Sequence, residues 1–82
     1  QPEIYINEVT LPDYAKEGLK DKPLQKMSNG MWRHDYSPTD KYFYDSQKQF
    51  QLHIQLGVVS GKGFSHDAFW NKVIQSVQFK KE

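Results

Sequence analysis

The sequence predicts an α+β fold: a three- to four-stranded antiparallel sheet with a C-terminal helix packed on one face and a short N-terminal helix. Three observations carry this. Along Gln49–Val58, Phe50, Leu52, Ile54 and Leu56 alternate with Gln49, Gln51, His53 and Gln55, the period-2 pattern of a strand with one face in a core and one in water. Over Ser65–Val77 the apolar residues Ala68, Phe69, Trp70, Val73, Ile74 and Val77 fall along one face of a helix. The strand-like segments Met31–Tyr36, Lys41–Asp45 and Gln49–Val58 are separated by short turns, for which an antiparallel meander is the natural assembly.

Taken in order, Glu3–Val9 alternates Ile4 and Ile6 with Tyr5 and Asn7 and reads as a first strand. Leu11-Pro12 ends it, because proline fixes φ and lacks an N–H. Pro12–Lys20 reads as a short helix, with Pro12 at its first position and Asp13 at the positive end of its dipole. Its apolar face is expected to be Tyr14, Ala15, Gly18 and Leu19. Pro23–Ser28 fits neither element, and Asn29-Gly30 is a turn signal. Met31–Tyr36 reads as a strand with Trp32, His34 and Tyr36 on one face and Met31, Arg33 and Asp35 on the other. Ser37-Pro38-Thr39-Asp40 is a turn, and Lys41–Asp45 a strand that is aromatic on both faces. Gly57–Gly63 is a loop. Ser65 then serves as N-cap, with Phe64 and Phe69 spaced as a hydrophobic staple. Phe79–Glu82 is a tail or a short last strand.

The 82 residues form one small domain (1–82), a size that buries only roughly 60% of the surface its unfolded chain exposes. There is no cysteine, which excludes disulfides, thiolate metal sites and a cysteine nucleophile and leaves the redox compartment open. A formal charge of +1 argues against a nucleic-acid or anionic-membrane specialist. No apolar run reaches the roughly 18 residues of a membrane span, and no segment has the layout of a signal peptide. The chain begins at Gln1 rather than Met, as expected of a processed or trimmed chain.

The three histidines, His34, His53 and His66, are not spaced as local metal-ligand pairs, so they read as structural or solvated, with no metal and no cofactor. The Ser60-Gly61-Lys62-Gly63 loop before a helix start could hold an anion, but it lacks the order of a P-loop and reads as a flexible connection. No Ser/His/Asp order, paired-carboxylate motif or HExxH is present. His34 and Asp35 are adjacent and face opposite sides of a strand. The chain therefore reads as non-enzymatic.

Aromatic residues make up 15% of the chain. Trp32, Tyr36, Tyr42 and Tyr44 are the binding candidates. If they share the solvent face of neighbouring strands they form an aromatic platform for a sugar, a peptide or another protein. If they share the core face they are core, the reading a chain this short favours for Trp32. The sheet carries more aromatic residues than one C-terminal helix can cover, so a partner surface is expected to include Trp32 or the pair Tyr42 and Tyr44.

The C-terminal half, from Met31 to Phe79, resembles PsbP-like domains and the related DcrB-type bacterial lipoproteins. Those chains finish with an amphipathic helix running into an Ile-(x)-Ser-Phe-like motif and a short strand. Here Val73-Ile74-Gln75-Ser76-Val77 stands in that place, with Val77 where the family prefers Phe. Ile4–Leu19 corresponds to the family's earlier strand and helix. The resemblance implies an αβα-type sandwich around an antiparallel sheet and an accessory binding role without catalytic residues; the setting expected is extracytoplasmic, whether periplasmic, secreted or lipid-anchored, with a cytoplasmic one left open. The function expected is a non-enzymatic binding or accessory domain with a protein partner. A small inhibitor or immunity-type protein that blocks an enzyme is the alternative, and an open sheet edge offers a route to a homo-oligomer.

Overall fold

The computed structural model describes residues 3–57 and 63–80. Five strands make one antiparallel sheet: β1 (Ile4–Thr10), β2 (Gln25–Lys26), β3 (Trp32–Asp35), β4 (Asp40–Tyr44) and β5 (Phe50–Leu56). Their order is β1-β5-β4-β3-β2. β3 to β5 form the expected meander, β2 extends it by one strand, and β1 returns to pair with β5. Helix α1 (Asp13–Gly18), continued by a 3₁₀ turn at Leu19–Asp21, links β1 to β2, and helix α2 (His66–Ser76) follows β5.

The α+β class stands, with five strands rather than three or four. The additional strand is β2, two residues within the Pro23–Ser28 segment that no pattern marked. It exists because the Asn29-Gly30 turn folds it back on β3. Gly30 takes φ 89°, a left-handed conformation open to glycine. The Asn29 carboxamide accepts from the Met31 N–H at 3.1 Å and donates to the Val77 carbonyl at 3.2 Å, tying this turn to the end of α2. At the β4–β5 turn the Asp45 carboxylate accepts from the Gln49 and Phe50 N–H groups at 2.7 and 2.8 Å.

One face of the sheet packs on α2. The alternation of β5 places Leu52, Ile54 and Leu56 on that side, and the register adds Phe43 from β4. Phe43, Ile54, Leu56, Met27 and Met31 are buried with Trp70 of α2, and Phe69, Val73, Ile74 and Val77 complete the cluster. Ala68, expected on this helix face, is exposed. Ser65 accepts from the Ala68 N–H at 3.1 Å, which caps the helix. Phe64 lies 6.1 Å from Phe69, ring to ring, closing the staple. The Trp70 indole N–H donates to the Pro38 carbonyl at 2.8 Å, and the Lys41 ammonium lies 5.2 Å from the Trp70 ring. Lys41 also pairs with Asp35 at 3.0 Å.

The other face is closed at one end only. Leu11, Leu19 and Tyr44 are buried there, with Ala15, Leu24, Trp32 and Tyr42 packed against them. The apolar face of α1 is thus Leu11, Ala15 and Leu19, an i, i+4, i+8 series. The expected face is corrected: Tyr14 is 82% exposed and Gly18 is exposed. Pro12 sits at the N-cap, not at the first helical position, so Leu11 turns the corner from strand to helix and joins the helix face.

Candidate functional site

Strand parity assigns the face away from α2. The register aligns His34 with Tyr42, Tyr42 with His53, and His53 with Asn7, so these four form one row across β3, β4, β5 and β1. The neighbouring row is Trp32, Tyr44, Gln51 and Val9, and on the other side lies Asp40, Gln55 and Tyr5. α1 covers the Trp32–Tyr44 end. In the His34–Tyr42–His53 row Tyr42 packs against this covered end, and Tyr36 stands exposed.

The rings of this row stack on one another. Tyr42 and His53 have centroids 4.3 Å apart and planes 9° apart, and His34 lies 6.0 Å from the other side of Tyr42 at 27°. Tyr36 meets both His34 and Tyr42 edge-on at 6.1 Å. Parallel rings stacked between neighbouring strands stand upright on the sheet. Their faces are spent on each other, and they turn edges to solvent, the edges that carry imidazole nitrogens and phenol hydroxyls. Of the expected platform for a sugar, a peptide or another protein, this row presents ring edges.

His53 is held in place from the side. Its Nε2 lies 2.8 Å from Asp40 Oδ1. The other Asp40 oxygen accepts from the Thr39 hydroxyl at 2.8 Å and the Ser37 hydroxyl at 3.2 Å. The Thr39 hydrogen bond, followed by those from His53 and Ser37, lowers the Asp40 carboxyl below the usual carboxylate range against the opposing effect of burial. Burial raises the Tyr42 phenol, with the Asp40 charge adding to it. The Asp40–His53 pair orients an imidazole. The two hydroxyls of the turn are used on the carboxylate and supply the ring with no nucleophile.

The four expected site residues separate. Tyr36 is 67% exposed and Tyr42 is partly buried in the row. Trp32 is partly buried at the margin, its indole N–H donating to the Ser46 carbonyl at 3.3 Å. The Lys48 and Lys26 ammonium groups lie 4.2 and 5.4 Å from its ring. Tyr44 is 1% exposed, so the expected pair Tyr42 and Tyr44 is split: Tyr44 is core. Its hydroxyl donates to Gln51 at 2.9 Å, and burial pushes its phenol up to about 12. A groove of ≈ 310 Å³ runs over this end of the row, lined by Lys22, His34, Tyr36, Tyr42, Tyr44 and Gln51.

His34, His53 and Asp40 had no functional role at the level of the sequence. The alternation of β5 places His53 opposite the core residues, but its neighbours Tyr42 and Asp40 are fixed only by register across a turn. Among the described residues no group of three or more His, Cys, Asp or Glu side chains is placed to hold a metal ion. The Tyr42 ring stands between His34 and His53. His66 lies at the start of α2 against Phe64, 5.2 Å ring to ring. Ser60, Gly61 and Lys62 of the anion-loop candidate lie outside the described residues. No described helix is long and apolar enough to cross a membrane.

Comparison with protein-family models, curated proteins and solved structures found no match for this chain.

Proposed function

We propose that this chain is a non-enzymatic binding domain that recognises a protein partner through the open end of its sheet, with Tyr36, Tyr42, His34 and His53 as the contact row and Trp32 at its margin. The observation that carries the reading is the half-buried, mutually stacked row on three hydrogen-bonded strands, with the exposed Tyr36 at its rim. Rigid aromatic side chains lose little conformational entropy when a partner covers them, which is why Tyr and Trp anchor interfaces. The upright rings offer donors and acceptors along their edges, a surface suited to the polar groups of a protein backbone rather than to a stacked sugar. Tyr44 and Gln51 act from the neighbouring row of the same face, as supports. The resemblance of the C-terminal half to PsbP-like and DcrB-type domains supports an accessory role outside the cytoplasm.

The test is affinity capture from the native source with the chain immobilised, comparing the unaltered protein with Tyr36→Ser and with Lys72→Ser on the exposed side of α2. The reading expects proteins that are captured by the unaltered chain and by Lys72→Ser and lost with Tyr36→Ser. Equal capture by all three places the contact surface elsewhere.

A further inference from the structure

The two edges of the sheet are built differently. The β2 edge is two residues long, carries Lys26 and follows Pro23, the usual means of keeping an edge from pairing. The β1 edge is seven residues, Ile-Tyr-Ile-Asn-Glu-Val-Thr, with no lysine, proline or glycine and one charge, Glu8. Its side chains include Ile4, Tyr5 and Ile6, 47%, 53% and 65% exposed.

Backbone parity says which groups have no partner among the described residues. The Gly57 N–H donates to the Glu3 carbonyl and the Leu11 N–H to the Gln49 carbonyl, so the odd-numbered residues of β1 turn their N–H and C=O groups toward β5. Ile4, Ile6, Glu8 and Thr10 turn theirs outward. An extended strand is the occupant that satisfies such a row.

We infer that this occupant is β1 of a second copy, paired antiparallel about a two-fold axis at Asn7. In that register Ile4 pairs with Thr10 of the second copy and Ile6 with Glu8, so every outward residue of both strands finds a partner. A shift of two residues toward Thr10 sets Glu8 against Glu8 and frees Ile4; a shift the other way frees Thr10. Pairing β1 with the β2 edge of another copy would grow an open filament, and β2 is too short and too well guarded for it. The two-fold pairing closes at two copies. On one face Tyr5 meets Val9 of the second copy, and on the other Ile4 and Ile6 carry the apolar surface of Leu56 and Ile54 toward the axis. Asn7 ends the row that holds His34, Tyr42 and His53. The same axis therefore joins the rows of both copies into one surface across ten strands.

Sedimentation equilibrium over a concentration series, combined with amide hydrogen exchange, tests this. The inference expects a dimer and no larger species, with the Ile6 and Glu8 amides protected in proportion to the dimer population. Glu8→Pro removes one outward N–H and none that β5 uses, a position where a strand tolerates proline; it should weaken the dimer about tenfold or more, roughly 1.4 kcal/mol, and leave the exchange of β3–β5 amides unchanged. Ile6→Lys, a charge placed at the edge, should do the same. A monomer at all concentrations with fast exchange at Ile6 and Glu8 overturns the inference, as does a dimer that both variants leave intact or a species that grows beyond two copies. Protection that arises only when a foreign extended peptide is added assigns the edge to that peptide and equally overturns it.

Discussion

Tyr42 and His53 stack across β4 and β5 with their centroids 4.3 Å apart and their planes 9° apart. Tyr42→Ala and His53→Ala should each destabilise the fold, and their double-mutant cycle should return a coupling of about 0.5–1.5 kcal/mol, the range for aromatic pairs. Urea melts of the four proteins measure it. A coupling near zero would mean that the row is a surface arrangement with no energetic cohesion.

The Asp40 carboxyl is held below its ordinary value by hydrogen bonds from Thr39, His53 and Ser37. A carboxyl depressed in the folded state contributes stability above its unfolded pKa, about 3.9, and that contribution is lost as pH falls through the lower, folded value. Asp40→Asn should lower the neutral-pH melting temperature and lose less than the unaltered chain on acidification. Parallel melting curves from neutral to acid pH would remove Asp40 from the account of acid stability.

Three neighbours on β5 should behave differently. Ile54 is buried against α2, and Ile54→Ala should cost about 2–5 kcal/mol. Gln55 is exposed, and Gln55→Ala should cost under about 0.5 kcal/mol. Gln51 shares the face of Gln55 and by alternation alone belongs with it. It accepts the hydroxyl of the buried Tyr44, so Gln51→Ala should cost about 1–3 kcal/mol, the penalty for stranding a buried polar group. Denaturant titrations rank the three.

At the start of α2, Ser65→Ala should cost about 1 kcal/mol through the lost acceptor for the Ala68 N–H. Phe64→Ala should lower the melting temperature through the staple with Phe69. An unchanged melting temperature for Phe64→Ala would show that the 6.1 Å ring contact does not hold the entry to the helix.

Much of the fold is legible in the sequence because its signals are local. The alternation of β5 and the spacing of Ser65, Phe64 and Phe69 each lie within a few consecutive residues, and each is realised. β2 was not legible because two residues show no period. The packing of α1 was misread because Leu11 lies before Pro12, and only the corner between strand and helix brings it onto the face of Ala15 and Leu19. That corner also decides the fate of Tyr44, which alternation places beside Tyr42 and the Leu11–Leu19 pair covers. At the site, parity gave His34 and Tyr36 a common side of one strand and Tyr42 and Tyr44 a common side of the next, and left open whether the two sides coincide. The stacking of His53 on Tyr42 and its bond to Asp40, thirteen residues away, depend on the register of β4 with β5, which no short-range pattern encodes.

The central claim is that the open end of the sheet, with Tyr36 at its rim, is the surface that binds. The measurement that reaches it most directly is a titration of the captured partner against the unaltered chain, Tyr36→Ser and Lys72→Ser, with amide spectra of each variant recorded beforehand to establish an intact fold. The account predicts that Tyr36→Ser weakens binding tenfold or more, about 1.4 kcal/mol, while Lys72→Ser leaves the affinity as it was. A folded Tyr36→Ser variant that binds with the affinity of the unaltered chain would contradict it.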